Sequence, residues 1–123
     1  MPAPGDLRAP LGRFGETYAA HQLGRRGYQV LERNVRLPSG EIDIIANESG
    51  ELVFVEVKTR RPSPIAAPEE SITDERMAHL EAAIAEYLSN QPGQPYRIEI
   101  VAIEVNDSGR VVRFEVMPDV GLR

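Results

Sequence analysis

The chain has 123 residues, 41% of them apolar, which suffices for one compact domain with a buried core. It has no cysteine and only two histidines, so we expect neither disulfides nor a Cys- or His-based zinc site, and oxygen ligands remain for any metal. The net charge of −5 argues against a protein that coats nucleic acid through bulk positive charge, although a local basic patch is compatible with it.

The amino-terminal segment predicts a tail followed by a single domain. Residues 1–9 are rich in proline and glycine and predict a flexible tail, and residues 10–123 contain no repeat or linker that would divide them. The tail lacks the basic start and apolar core of a signal peptide, and no apolar run is long enough to cross a bilayer. We therefore expect a cytoplasmic protein without a membrane span.

The first predicted element is a helix over residues 11–26, because apolar residues recur there at helical spacing. Gly27 is a suitable residue to end it. Gly12 and Gly15 lie on a strip of small residues, and they either let the helix approach a sheet closely or lie partly outside the helix. Glu16 lies beside this strip and is able to face the sheet, with an ordinary exposed helix glutamate as the alternative.

The next segment predicts a three-strand meander over residues 28–36, 40–46 and 51–58. A four-residue polar turn, Asn47 to Gly50, joins the second and third strands as an antiparallel hairpin. Counting outward from this turn pairs Ala46 with Glu51 and Asp43 with Phe54. Asp43 and Glu56 would then be near-diagonal neighbours.

The second half of the chain predicts a loop, a helix and two strands. Residues 62–70 are interrupted by prolines and form an irregular loop that is a candidate substrate flap. A helix over 73–89 follows, with Thr73 as its N-cap, and strands are predicted over 96–105 and 110–117. The order is αβββαββ. The apolar last hairpin either closes the sheet or pairs two subunits in a homodimer.

The third strand carries the strongest functional signal, because Glu56 interrupts an apolar run and Lys58 ends it. Residues two apart on a strand share a face, so these side chains point the same way. Lys58 is the single lysine of the chain, and an ammonium changes its pKa more readily than a guanidinium. Two carboxylates, Asp43 and Glu56, are the number that Mg²⁺ often takes from a protein. A structural ion pair at a strand end is the alternative.

Here the sequence resembles a known family. The run from Gly40 to Asp43, followed by Val55 to Lys58, looks like the PD-(D/E)xK nuclease signature, with a leading glutamate in the first helix. The ordered set of short motifs is similar to the YraN-like family of small bacterial proteins, regarded as endonuclease-like and similar to archaeal Holliday-junction resolvases. These motifs are Gly15-Glu16, Arg33-Asn34, Gly40 to Asp43, Val53 to Arg60, Tyr87-Leu88 and Arg97.

The resemblance implies a restriction-endonuclease-like αβββαβ core with an extra C-terminal strand. It also implies a site that binds Mg²⁺ or Mn²⁺, with Asp43, Glu56 and Val57 as metal ligands, Lys58 as catalytic lysine and Glu16 as supporting acid. Two departures concern outer contacts: Arg76 and Glu99 stand where the family leads us to expect lysine and aspartate.

The implied function is metal-dependent hydrolysis of DNA, in branched or repair-intermediate structures. Four arginines are candidates for contacts with nucleic acid, with ordinary surface arginine as the alternative for each. They are Arg33, Arg36, Arg60 and Arg61. Two other functions remain open: a binding module for nucleic acid or protein on a nuclease-like scaffold, and an enzyme that requires a protein partner.

Overall fold

Two α-helices and five strands make up the part of the chain that the structure, a computed structural model, describes, which is residues 8–118. The helices are α1 (Arg8–Arg25) and α2 (Asp74–Tyr87), and short 3₁₀ turns occupy Pro68–Ser71 and Leu88–Asn90. The strands are β1 (Gln29–Leu37), β2 (Gly40–Glu48), β3 (Glu51–Arg60), β4 (Tyr96–Val105) and β5 (Val111–Pro118).

The strands form one mixed sheet in the order β1-β2-β3-β4-β5. β3 and β4 are parallel, so the chain crosses between them through α2, and the other neighbouring strands are antiparallel. This confirms the predicted α/β architecture, an αβββαβ core with an extra C-terminal strand. β5 pairs with β4 along one edge of the sheet, while homodimer formation stays a prediction.

The predicted boundaries hold within a few residues, with one difference at the amino terminus. α1 begins at Arg8, so residues 8 and 9 are helical rather than part of the predicted tail, whose residues 1–7 lie outside the described range. Thr73 is the N-cap of α2, as predicted, and its hydroxyl accepts a hydrogen bond from the backbone N–H of Arg76. None of the helices within 8–118 is both long and apolar enough to cross a membrane.

Two apolar clusters lie on opposite faces of the sheet. One joins Ala19 and Leu23 of α1 to side chains of β2, β3 and β4, including Ile44 and Val55. The other joins Met77, Leu80, Ala83 and Ile84 of α2 to residues such as Ile42, Ile45 and Phe54. Each helix thus covers one face, which explains why β3 reads as an almost continuous apolar run.

α1 approaches β3 very closely at Gly15. A Cβ atom on Gly15 would stand 1.7 Å from Thr59 Oγ1 and 2.9 Å from Thr59 Cβ, so no larger residue fits without a shift of the backbone. The close approach to the sheet therefore holds for Gly15, whereas nothing lies within 4 Å of a Cβ added at Gly12. It also places the neighbouring Glu16 at the sheet.

The pairing of β2 with β3 differs from the prediction by its register. The turn consists of two residues, Ser49 and Gly50, both with positive φ as in a type I′ hairpin, and Ala46 pairs with Val53 instead of Glu51. The predicted pairing of Asp43 with Phe54 was therefore wrong, because two of the four polar residues belong to the strands. The observed register moves Asp43 toward Glu56.

Candidate metal and nuclease site at the fork of two strands

The regular backbone pairing of β2 with β3 ends at Ile44 and Val55. Beyond this pair Asp43 Oδ2 accepts a hydrogen bond of 2.9 Å from the backbone N–H of Val57. The alternation of faces also breaks here, since Ile42 packs on the α2 side and Ile44 on the α1 side, although residues two apart share a face in a regular strand. The strands therefore diverge at Asp43, and the fork leaves room for a cavity.

A cavity of about 360 Å³ opens at this fork. Its lining brings together side chains from both sheet faces and from the segment that leads into α2. Four acidic residues and two cationic residues line it: Glu16, Glu41, Asp43, Glu56, Lys58 and Arg76. All four predicted catalytic residues are thus in one cavity, and Val57, the third predicted ligand, also lines it.

Asp43 carries the largest electrostatic perturbation of the cavity. Burial, followed by the nearby carboxylate of Glu56, raises the pKa of Asp43 to about 8, against the smaller opposing effect of the Val57 N–H. A carboxylic acid in this range binds a proton at neutral pH unless another cation takes its place. The site is therefore arranged so that a bound cation would relieve repulsion between acids.

Glu16 extends from α1 into the same cavity. Its Oε1 atom is buried and has no hydrogen-bond partner among the described residues. Burial raises the pKa of Glu16, Arg33 opposes this shift, and Glu41 and Glu56 add to it. A buried carboxylate oxygen without a partner is costly, and a cation or an ordered water would satisfy it.

Lys58 follows Glu56 by two residues and lines the cavity from the same strand. Burial lowers the pKa of the Lys58 ammonium, and the charge of Arg60 lowers it further, whereas Glu56 and Asp43 oppose the shift. A lysine with a depressed pKa gives up its proton more easily than a free lysine, which suits a group that handles a proton or a developing negative charge.

Glu56 is not free to act as a ligand without rearrangement. The guanidinium of Arg76 donates to both of its carboxylate oxygens, at 2.8 Å from Nε and 2.7 Å from Nη2. Within residues 8–118, no group of three His, Cys, Asp or Glu side chains stands ready to hold a metal ion. The oxygen-rich donor set and the unpartnered Glu16 oxygen nevertheless fit a hard divalent cation.

Sequence reasoning assigned no role in the site to Arg76 or Glu41, although both line the cavity. A signal for Arg76 was available in the sequence. It lies three residues after the N-cap Thr73, where the helix dipole disfavours a cation, and such a residue commonly has an acidic partner elsewhere in the fold.

The four arginines predicted to contact nucleic acid lie outside the cavity lining. Arg33 donates to Thr17 at 2.9 Å, Arg36 stands 3.8 Å from Glu41, and Arg61 donates to Asp107 and to the carbonyl of Asn106. Arg60 is exposed at the end of β3. Their role in binding nucleic acid stays a prediction.

The loop after β3 is tied to the far edge of the sheet. Arg113 of β5 donates to both carboxylate oxygens of Glu69 at 2.9 Å, within the short helical turn that precedes α2. The end of this segment, Ser71 to Thr73, lines the cavity. Arg113 therefore anchors one wall of the cavity, while the function of residues 62–70 as a flap stays a prediction.

Comparison with known proteins finds one bacterial family. The family model described as Uncharacterised protein family UPF0102 matches residues 15–103, an interval that contains every charged residue of the cavity lining. A UPF0102 protein of Roseiflexus castenholzii is 45% identical over 90% of this chain and 92% of its own length. Similar proteins occur in Moorella thermoacetica, 39% identical over 86% and 90%, and Symbiobacterium thermophilum, 42% identical over 82% and 87%.

Proposed function

We propose that this chain, which belongs to the UPF0102 family of uncharacterised, YraN-like proteins, is a divalent-metal-dependent endonuclease that hydrolyses phosphodiester bonds in DNA. The observation that carries the proposal is the convergence of Glu16, Asp43, Glu56 and Lys58 on one cavity at the fork of β2 and β3. Glu16 of α1 joins three residues of the β2–β3 hairpin there, which an isolated surface ion pair would not require.

The acids of the cavity would hold Mg²⁺ or Mn²⁺. Asp43 and Glu56 supply carboxylates, Val57 adds a predicted third ligand, and Glu16 supports them with an oxygen that otherwise lacks a partner. A divalent cation in such a site polarises a phosphoryl oxygen and lowers the pKa of a bound water.

The chain's own residues would then position the reactants. The Val57 N–H fixes the orientation of the Asp43 carboxylate. Lys58 holds an ammonium beside the acids, where it orients the attacking water or neutralises charge that develops on the phosphate. The water loses one proton to solvent as its oxygen forms the new bond to phosphorus. The bond to one bridging oxygen breaks, and that leaving oxygen takes up a proton from solvent.

The protein would bind the metal and the DNA in the cytoplasm, the location expected from its sequence. Branched or repair-intermediate DNA is the proposed substrate class, because of the resemblance to junction resolvases. The acids that line the cavity repel the phosphates of DNA, so under this proposal cation binding should precede or accompany binding of the substrate.

The decisive experiment incubates the full chain with labelled duplex, flap and four-way-junction DNA in Mg²⁺, Mn²⁺ or EDTA. We expect metal-dependent cleavage that Asp43→Asn and Lys58→Met each reduce by at least about 100-fold, and that Glu81→Gln on the exposed face of α2 leaves unchanged. Activity that survives both changes in the cavity would show that the cleavage arises elsewhere.

A second candidate function is a binding module that does not cut, and the Arg76–Glu56 ion pair favours it, since this pair occupies a predicted metal ligand. The same assays separate the two functions. A binding module would retain junction DNA in EDTA, release no cleaved product in either metal, and show no heat of metal binding in calorimetry.

A further inference from the structure

Arg76 forms a bidentate ion pair with Glu56. Nε and Nη2 each donate to a different carboxylate oxygen, and Nη2 also donates to the backbone carbonyl of Glu41 at 3.2 Å. The Glu56 side chain is only 6% exposed, whereas the Arg76 side chain is 24% exposed. Glu56 is thus enclosed by the protein, while part of the Arg76 side chain borders solvent.

The position of Arg76 on its helix does not explain its presence. Its backbone N–H is bound by the N-cap hydroxyl of Thr73, so its Cα lies in the first turn of α2. Cations are disfavoured there because the helix dipole is positive at its N-terminus, and the two preceding residues, Asp74 and Glu75, follow the usual acidic preference. The cationic side chain is therefore best explained by what it meets in the cavity.

The charges of the cavity show what Arg76 would compete with. Carboxylates outnumber cations by four to two in its lining, and Arg76 and Lys58 are the two cations. A divalent cation on Glu56 would stand close to the guanidinium, and like charges repel strongly at that distance. Arg76 and such a cation therefore compete for the carboxylate of Glu56.

We propose that Arg76 exchanges partners during binding: it neutralises Glu56 until a divalent cation occupies the site, and then contacts a phosphate of the nucleic acid. A planar guanidinium fork that fits a carboxylate also fits a phosphate, because both present two oxygens in similar geometry. The Arg76 side chain already borders solvent over part of its surface, unlike that of Glu56. This inference rests on the proposed function and adds a substrate-contacting residue to it.

The metal half of the inference is tested by calorimetric titration of the full chain with Mn²⁺. Wild type, Arg76→Met, Arg76→Lys and Lys58→Met are compared, with Arg110→Met, in the exposed β4–β5 turn, as control. We expect Arg76→Met to bind Mn²⁺ about tenfold more tightly than wild type, because a charge-assisted pair on Glu56 no longer competes. Arg76→Lys should also bind more tightly, since an ammonium lacks the planar pair of donors that matches the two oxygens of a carboxylate.

Lys58→Met separates competition from a simple change of charge. It removes one positive charge from the same cavity. Within residues 8–118 it leaves the hydrogen bonds to Glu56 in place, because Arg76 donates them. If only net charge mattered, Lys58→Met and Arg76→Met would raise the affinity for Mn²⁺ equally. That result, or an affinity of Arg76→Met equal to or below that of wild type, overturns the inference.

The phosphate half is tested by fluorescence anisotropy with labelled four-way-junction and duplex DNA in Ca²⁺. Arg76→Met should weaken DNA binding about tenfold and reduce the slope of log affinity against log salt concentration by about one, as expected for one lost phosphate contact. Arg76→Lys should retain part of the affinity. An unchanged affinity and salt slope in Arg76→Met contradict the phosphate contact.

The two proposals fail in distinguishable ways. If wild type takes up Mn²⁺, Asp43→Asn abolishes that uptake and Arg76→Met leaves it unaltered, the exchange of partners is wrong while the metal site stands. If neither wild type nor any variant takes up Mn²⁺ at millimolar concentration, the metal-dependent function is overturned and the exchange with it. Urea denaturation of each variant verifies that it is folded during the titrations.

Discussion

The carboxylate of Asp43 accepts a hydrogen bond from the backbone N–H of Val57 at the point where β2 and β3 separate. The Asp43 side chain accepts from the Val57 N–H, which a backbone carbonyl of the neighbouring strand would otherwise accept from. The backbone donor is thus satisfied although the two strands are apart. The same bond fixes the orientation of a carboxylate whose pKa burial and Glu56 raise to about 8. Asp43 therefore stabilises the fold through its hydrogen bond to Val57, while its charged form is costly to bury in the site.

The first prediction concerns this residue. The folded pKa of about 8 lies above the ordinary 3.8, so the folded state keeps a proton that the unfolded chain has lost, and stability falls as pH rises between these values. Asp43→Asn retains an oxygen for the Val57 N–H without a charge to bury. In EDTA, we expect the variant to exceed wild type in unfolding free energy by at least about 1 kcal/mol at pH 8, and to match it near pH 4.

Urea denaturation at pH 4, 6 and 8 measures this difference. Glu81→Gln, which removes an exposed carboxylate from α2, should follow wild type at every pH. A difference between Asp43→Asn and wild type that does not change with pH would contradict the raised pKa.

Local pattern was sufficient to predict most of the fold. Period-two alternation located β4 at residues 96–105, where the structure has it, and the N-cap preference located the start of α2 at Thr73. The hairpin register was wrong because Asn47, Glu48, Ser49 and Gly50 all suit a turn, and the positive φ of Ser49 has no signature in a serine.

In the site, too, the residues close in sequence could be predicted to lie together, whereas the residue distant in sequence could not. Glu56 and Lys58 share a strand, and Asp43 lies one hairpin away, so short-range geometry was enough to group them. Arg76 lies 20 residues from Glu56 across an irregular loop and a change of sheet face, and its contact depends on the path of that loop. No periodicity encodes such a path.

A second prediction tests the close approach of α1 to β3. Gly15→Ala places a Cβ 1.7 Å from Thr59 Oγ1, which requires the helix or the strand to shift, so we expect a loss of roughly 1–3 kcal/mol in unfolding free energy. Gly24→Ala is the matched control in the same helix, since nothing lies within 4 Å of its added Cβ. That change should stabilise the protein by up to about 1 kcal/mol through helix propensity.

Urea denaturation of both variants compares the two effects. Thr59→Ala combined with Gly15→Ala should recover part of the loss, because it removes the nearest clashing atom. If Gly15→Ala and Gly24→Ala stabilise the protein equally, the helix is not held against the strand as described.

A third prediction concerns the anchor of the cavity wall. The hydrogen bonds from Arg113 lower the pKa of Glu69, so its ion pair contributes stability above the ordinary pKa of about 4.5 and loses it as the pH falls through the lowered value. Glu69→Gln should lower the unfolding free energy by at most about 1 kcal/mol at pH 7, as is typical of a partly exposed pair.

Chemical denaturation at pH 7 and pH 3 checks this expectation. The gap between Glu69→Gln and wild type should narrow as the pH falls from 7 to 3, because protonation of Glu69 removes the charge that Arg113 pairs with. A gap that persists unchanged at pH 3 would mean that the carboxamide disturbs packing rather than the charge on Glu69.

The last prediction addresses Glu16, whose buried Oε1 has no partner within residues 8–118. If a metal ion satisfies this oxygen, Glu16→Gln should bind Mn²⁺ about tenfold more weakly, because a neutral amide is a poorer ligand for a hard cation. Stabilisation by a ligand grows as the logarithm of concentration over Kd, so at saturating Mn²⁺ the variant should gain about 1.4 kcal/mol less than wild type. Thermal unfolding with and without Mn²⁺ measures both gains, with Glu81→Gln as control. Equal gains in all three proteins would assign Glu16 a structural role, as a carboxylate that α1 buries against the sheet without contact to the metal.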